Sequence, residues 1–477
     1  MRRLAPLLAG AVLLPLAGCN FAPPYHRPAM QVPASYQDAQ PVASGAWKVA
    51  TPDDAAPRGE WWRLFDDDEL NALEARVESA NQDIAAAVAR YDEARAAVSA
   101  AQAQLFPTIN ANASGEREQN SKTVPNVYTK NLYNEYTYNA DFSYELDLWG
   151  RVRNAVAQAR ALASASKADL ATMDLDSHAE LATDFFALRG DDTAISVLTQ
   201  TVSADQKALT VVQNRFNNGD AAEGDLDQSQ AQLADAQTQE ADERSQRAAM
   251  EHAIAILVGA SAAQFTIPPA PLKPADPGAI PVPAIDPGIP SELLERRPDV
   301  AAAERRVIAA NANIGIARAA YFPTISLNAL FGGQSASLGD LFAAPSRIWS
   351  FGPSISQPLF EGGALDAATA TARAERAEAI ADYRNTVLGA FRDVEDNLVT
   401  LQELQQENAT AAIAAKDEQK AYNQAQNLYQ GGVDTYLDVL VPQTNELQAQ
   451  LTLANVEARR LETSVLLIKA VGGGWKG

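Results

Sequence analysis

Polar and apolar positions alternate with period two in a few short stretches of this chain. Between 108 and 116, Thr108, Asn110, Asn112, Ser114 and Glu116 alternate with Ile109, Ala111, Ala113 and Gly115. Between 136 and 148, Tyr136, Tyr138, Ala140, Phe142, Tyr144, Leu146 and Leu148 alternate with Thr137, Asn139, Asp141, Ser143, Glu145 and Asp147. This rhythm predicts strands with one aromatic and aliphatic face and one polar face, and the lengths suit tilted transmembrane strands of ~9–11 residues. A half-buried hairpin on a soluble domain would share the pattern, but the pattern returns. Ile325, Leu327, Ala329 and Phe331 alternate with Thr324, Ser326 and Asn328, and Trp349, Phe351 and Ile355 alternate with Ser350, Gly352, Ser354 and Ser356. Pro353 and Pro358 weaken the last strand. Tyr138, Phe142, Tyr144, Phe331, Trp349 and Phe351 are expected to face lipid, with Asn139, Asp141 and Ser143 on the opposite, lumen side.

Helices fill most of the rest. A helix is expected over 68–105, ending at Phe106-Pro107 because the residue before proline is pushed out of the α region. Ahead of it, 60–65 is an amphipathic patch carrying Trp61 and Trp62. No proline occurs over 126–267, and 151–216 contains one internal glycine, Gly190. Such a helix of about 65 residues extends ~100 Å, a length that suits a conduit across the periplasm better than a globular core. A second long helix is expected over 364–429. The turns Asn218-Gly219-Asp220 and Gly431-Gly432-Val433-Asp434 read as glycine C-caps followed by Asp N-caps, with return helices over 225–258 and 435–469.

These elements occur twice. Phe106-Pro107-Thr108-Ile109 recurs as Phe322-Pro323-Thr324-Ile325, Phe216-Asn217-Asn218-Gly219 as Tyr429-Gln430-Gly431-Gly432, and Leu148-Trp149-Gly150 is echoed by Leu359-Phe360. Landmarks in constant order imply two copies of a unit of about 210 residues. The first repeat is placed at 68–266 and the second at 291–470, joined by a stiff crossover, 267–290, with nine prolines in 24 residues. Residues 471–477 form a tail, and 19–67 read as an extended arm.

Residues 1–18 resemble a secretory signal, with Arg2 and Arg3 before a short apolar run. The run ends Leu16-Ala17-Gly18-Cys19, and Cys19 is the only cysteine. That excludes an internal disulfide, and its context resembles a bacterial lipobox, so Cys19 is expected to be lipidated. Asn20 stands where an inner-membrane retention aspartate would be, which suggests delivery to the outer membrane. The formal charge is -22, which argues against nucleic acid as a partner. Mean hydropathy is -0.20, an average in which β-barrel strands hide because only alternate residues are apolar.

At this point the chain resembles the TolC/OprM family of outer-membrane channels, in its lipidated NodT-like branch. The resemblance rests on the Cys19 lipobox with Pro24-Tyr25 after it, and on Leu293-Leu294, Arg297-Pro298-Asp299-Val300 and Ala303-Glu304. Further motifs are Ile314-Gly315, Ala317-Arg318, Phe322-Pro323 and Tyr429, Gly432, Tyr436-Leu437-Asp438-Val439-Leu440. Nearly the whole mature chain is covered. The family implies an α plus membrane β-barrel fold, with a long α-helical barrel and four strands per chain. It also implies a homotrimer with a 12-stranded barrel, working with a periplasmic adaptor and an inner-membrane transporter as the exit duct of an efflux or secretion system. The residues alone require more than one chain, because an open sheet edge cannot sit in lipid, but leave two, three or four open.

By the same resemblance, Asp434 corresponds to an acidic ring gating the periplasmic end, with Asp438 as a second candidate. Asp434 as a plain helix cap is the alternative. Tyr436 braces neighbouring helices or fills core, and Gly219, Gly431 and Gly432 make the tip turns. A lipidated periplasmic adaptor and a structural envelope protein are rival classes. The first should show lipoyl-like and β-barrel segments between its helix arms, where this chain shows alternating membrane strands, and the second would not need two aromatic-faced hairpins. An enzyme is the least expected class. His26, His178 and His252 are far apart, with His178 and His252 expected on helix surfaces, and Gly472-Gly473-Gly474 lacks a phosphate-loop lysine. No metal or cofactor beyond the lipid on Cys19 is expected.

Overall fold

The computed structural model describes residues 20–33, 36, 59–121, 123, 132–272, 283 and 290–473. The signal stretch, Cys19, nearly all of the arm between 34 and 58, most of the crossover and residues 474–477 lie outside the described residues. A 3-10 helix, Trp61–Phe65, leads to α1 (Asp68–Ala80), α2 (Gln82–Ala103), β1 (Thr108–Gln119), β2 (Leu132–Glu145), α3 (Arg151–Asn218) and α4 (Glu223–Leu257). After the crossover come α5 (Pro290–Arg296), α6 (Pro298–Ala319), β3 (Thr324–Ser335), β4 (Arg347–Ser356), α7 (Ala364–Gln430) and α8 (Leu437–Ala470). The order α2-β1-β2-α3-α4 thus recurs as α6-β3-β4-α7-α8. The short α5 was not expected; it begins where the crossover was expected to end. Among the described residues no helix is long and apolar enough to cross a membrane.

The chain forms two compact units, and neither is one repeat. The first takes the described residues within 1–29, 90–167 and 302–384; the second takes those within 30–89, 168–301 and 385–477. Each draws on both copies, for a physical reason visible in the first unit. A lone hairpin is marginal in stability, so the two hairpins join into one antiparallel four-stranded sheet of order β1-β2-β3-β4. Below the sheet, the Trp149 indole donates to the Pro323 carbonyl at 2.7 Å. Phe21 stacks on Phe322 with ring centroids 4.4 Å apart. Asp147 caps α3, its carboxylate accepting from the backbone N–H groups of Val152 and Arg153 at 3.0 and 2.9 Å. Two of the sequence motifs meet here: the Glu304 carboxylate accepts from the Tyr25 hydroxyl at 3.0 Å and from Arg27 Nη2 at 2.8 Å.

The second unit is helical. Its core gathers Trp61, Leu70, Val77, Leu181, Phe185, Ile254, Val465 and Ile468. The uninterrupted helix expected over 68–105 is in fact two, broken at Asn81, whose backbone is extended (ψ 125°). The Asn81 side chain accepts from the N–H groups of Asp83 and Ile84 and donates to the Leu257 carbonyl at 3.1 Å. A local cap and a distant carbonyl together outweigh helix propensity, and only the second is invisible in the sequence. Gly190 in α3 faces α8, where a Cβ would stand 2.7 Å from that of Ala458, so the internal glycine allows close helix packing. His178 is not on the helix surface as expected; it is buried, against Glu74 and Trp62. His252 is exposed.

Candidate functional site

In the first unit the sheet register decides which side chains share a face. Phe142 pairs with Ile109 and Ala329, and Ala329 with Phe351. Ala140 pairs with Phe331, and Phe331 with Trp349. Tyr138 pairs with Ala113 and Gly333, and Tyr144 with Leu327. Cross-strand partners point the same way, so Tyr138, Phe142, Tyr144, Phe331, Trp349 and Phe351 all lie on one face. That face is uncovered: Trp349 is 76% exposed, Phe351 71% and Ile109 72%. Pro353, expected to weaken β4, sits within a continuous strand. β4 is the last strand of the chain's sheet, where a missing N–H can point away from the neighbouring strand.

The opposite face is polar and internally hydrogen-bonded. Asn110 Nδ2 donates to Asp141 Oδ2 at 3.0 Å, Asn112 Nδ2 to Asn139 Oδ1 at 3.1 Å, and Asn328 Nδ2 to Ser354 Oγ at 3.0 Å. Side chains that hydrogen-bond across strands hold a wetted wall in a fixed shape. At one end of the apolar face Tyr138 packs on Phe342, centroids 4.9 Å apart.

In the second unit, α3 and α7 end in the same turn. Asp220 N donates to Arg215 O and Gly219 N to Phe216 O; Val433 N donates to Leu428 O and Gly432 N to Tyr429 O. These paired bonds are Schellman ends with glycine in the left-handed region, at φ 84° for Gly219 and 75° for Gly432. Gly431 has no such φ and makes an ordinary helical bond to Asn427 at 2.9 Å, so the conformational demand falls on Gly432 alone.

The Asp N-cap expected after each turn is found in neither: α4 starts at Glu223 with Ala222, not Asp220, at its cap position. α8 starts at Leu437, and Tyr436 occupies the cap position without a side-chain bond. Asp438 reaches back instead: its Oδ2 accepts from Thr435 N at 3.0 Å and Thr435 Oγ1 at 2.7 Å. These bonds hold its carboxyl below the usual carboxylate range. Asp225 in the first copy accepts from Ala222 N in the same way at 3.3 Å. Asp438 is therefore fastened to its own turn. Asp434, half-buried, makes no hydrogen bond or ion pair with any described residue.

Tyr436 is buried among Val212, Leu226 and Leu440, with its ring 5.6 Å from that of Tyr429, over which Arg215 lies at 4.5 Å. Of the two readings for Tyr436, both apply: it is core, and that core joins α3, α4 and α8. Sequence reasoning missed Asp205, which is fully buried on α3 and accepts from the Gln443 amide of α8. Burial pushes its carboxyl above the usual range, with the Gln443 bond working against that. Its only signal was a polar residue on the apolar stripe of a long helix.

Among the described residues, an uncovered apolar sheet face, unpaired edge strands at both sides and helices too polar for a bilayer define a wall segment of a membrane β-barrel channel. The chain belongs to the outer membrane efflux protein family, whose model matches residues 74–260 and 289–473. It is an outer-membrane protein. It is 32% identical over 468 residues to the solvent efflux pump outer membrane protein SrpC of Pseudomonas putida, covering 97% of each chain. It is 31% identical to the outer membrane protein OprJ of Pseudomonas aeruginosa, covering 97% of this chain and 95% of OprJ. The structure matches the open-state MtrE outer membrane channel of Neisseria gonorrhoeae with a TM-score of 0.77 at 27% identity, covering 96% of this chain and 98% of that one.

Proposed function

We propose that three copies of this chain close a 12-stranded barrel in the outer membrane and serve as the exit duct of a tripartite efflux system. A periplasmic adaptor and an inner-membrane transporter supply the remaining parts, and small molecules leave through the duct. The observation that carries this reading is the sheet: four strands with one exposed aromatic face and two open edges. Lipid leaves no unpaired edge tolerable, and four strands are too few to close. Leu359 and Phe360, just after β4, are 93% and 91% exposed, which further supports association of chains. The duct has no catalytic role, no cofactor and no nucleic-acid partner. Purified protein in a planar bilayer should show large, stable conductance; its absence across protein that runs as a trimer would overturn the reading.

Tyr138, Phe142, Tyr144, Phe331, Trp349 and Phe351 meet lipid, and the Asn139, Asp141 and Ser143 face lines the lumen. At the periplasmic tip, three copies of Asp434 form an acidic ring whose field gathers cations in a narrow mouth. Asp438, tied to Thr435, serves the turn. Asp434→Asn conserves shape and removes charge, so it should weaken block by trivalent cations applied from the periplasmic side and reduce cation preference, with folding intact. Block unchanged from wild type would remove the ring from the mechanism.

Cys19 carries the covalent lipid. Cys19→Ser should abolish metabolic palmitate labelling while the barrel keeps the protein in the outer membrane, since roughly a dozen strands bury far more apolar surface than acyl chains do. Persistent labelling would place the lipid on another residue and remove the lipobox reading of Cys19.

A further inference from the structure

The second unit holds a buried ion pair that the duct reading does not use. Glu74 of α1 and His178 of α3 are 104 positions apart and meet at 2.5 Å, Oε2 to Nδ1, with side chains 0% and 6% exposed. Glu74 Oε1 is buried without a hydrogen-bond partner among the described residues. Trp62 stacks on the imidazole, with centroids 4.5 Å apart and planes within 15°. The surrounding core from α4 and α8 is apolar, through Ile254, Ala255, Leu461 and Val465. A carboxylate and an imidazole in such a place are costly unless each stabilises the other.

The segment they hold is bounded by two breaks in the backbone. Asp66 takes a left-handed conformation at φ 52°, and Asn81 is extended. Between these points runs the 13-residue α1, which meets α3 through Glu74 and His178. Its C-terminal end is tied by Asn81 to the Leu257 carbonyl, a bond with no titrating group. Its middle is tied by Glu74.

We propose that Glu74 and His178 form a buried proton-binding site that clasps α1 onto α3 at neutral and acidic pH and lets it loosen at alkaline pH. The chemistry has one direction. Burial pushes the Glu74 carboxyl up to about 7, with the hydrogen bond and charge of His178 pulling against that. Burial alone would push the His178 imidazole down, but the hydrogen bond and charge of Glu74 outweigh it and raise it. Asp174 of α3, half-exposed with Oδ1 3.7 Å from Nε2, and Glu78 of α1 add to the rise in His178. Both groups are raised, so the clasped state binds more protons than the released one. Its stability is complete below the unfolded values and is lost as pH rises through neutrality. Above that, a carboxylate is left buried beside a neutral imidazole, with one oxygen unpaired.

Hydrogen exchange of 61–80 in the full-length protein tests this, read against the amides of 250–257 and corrected for intrinsic exchange. Opening of 61–80 should increase about tenfold or more between about pH 6 and about pH 8.5, each displaced pKa unit being worth a factor of ten. The reference amides should not follow. In Glu74→Leu/His178→Val, which fills the site with apolar side chains, the dependence should vanish. A flat wild-type profile, or a double variant that keeps the wild-type slope, overturns the proposal. Where the double variant does not accumulate, 13C-histidine NMR of the wild type decides. His178 titrating above free imidazole supports the clasp, and His178 titrating at or below it overturns the clasp.

Discussion

Phe142→Arg should abolish trimer formation, while Ser143→Arg, one residue along, leaves it standing. The two side chains are neighbours in sequence and point to opposite faces. Phe142 shares its face with Ile109, Ala329 and Phe351 across the whole width of the sheet. Arginine on a lipid-facing site costs ~2–4 kcal/mol per chain at mid-membrane and less toward the interfaces. Three equivalent sites multiply the cost, to at most roughly 6–12 kcal/mol per trimer, which reaches the scale of the entire stability of an ordinary domain. Ser143 stands beside Thr108 and Asn328 on the polar face, where an arginine is wetted and should only shift ion selectivity. Semi-native gels of outer-membrane extracts measure trimer yield directly. Equal yields, or more trimer from Phe142→Arg, would mean that the aromatic face does not meet lipid.

The second large effect lies in the second unit. Arg247→Met should unfold the start of the crossover, whereas Arg244→Met, one turn earlier on the same helix, should pass almost unnoticed. Arg247 Nε donates to Asp192 Oδ1 at 2.5 Å, Nη1 to Glu251 Oε2 at 3.1 Å and Nη2 to the Ile267 carbonyl at 2.7 Å. Asp192 is 1% exposed and also accepts from Arg189 Nη1 at 3.1 Å and from Ala270 N at 2.9 Å. Removing Arg247 leaves buried carboxylate charge under-compensated, which costs about 3–5 kcal/mol. Arg244 pairs with Glu240 at 2.7 Å, but its side chain is 58% exposed, and such pairs contribute ~0–1 kcal/mol. Limited proteolysis around 267–272 and the denaturant midpoint of the detergent-solubilised protein should separate the two variants. Equal sensitivity would show that the network is incidental to the docking of this segment.

The contrast between these sites marks what could be read in advance. Phe142 and Ser143 were assignable because strand periodicity is local: each residue's face follows from its neighbours two positions away. The same holds for the turns at Gly219 and Gly432, where a helix end needs a left-handed residue and glycine supplies it. Arg247, Asp192 and Glu251 carried no such signal, because charged residues on a helix read as a solvated face until the partner segment is known. His178 was misread for that reason. Asp434 and Asp438 show a finer limit. Both stand near a helix start, where aspartate caps, and only the backbone path of the turn decides which of them is consumed by it.

The strands and their faces, the long helices, the duplication and the glycine turns are all legible along the chain, because these depend on spacing within a few residues or on similarity between two stretches. Tertiary structure alone decided how the copies are used. The hairpins of both repeats fuse into one sheet because neither is stable alone, so the compact units interleave the repeats instead of following them. It also decided the break at Asn81, where a carbonyl 176 positions away completes the side chain's hydrogen bonds, and the burial of Glu74 against His178. Such pairings depend on desolvation and distance, and a sequence states neither until the chain has folded back on itself.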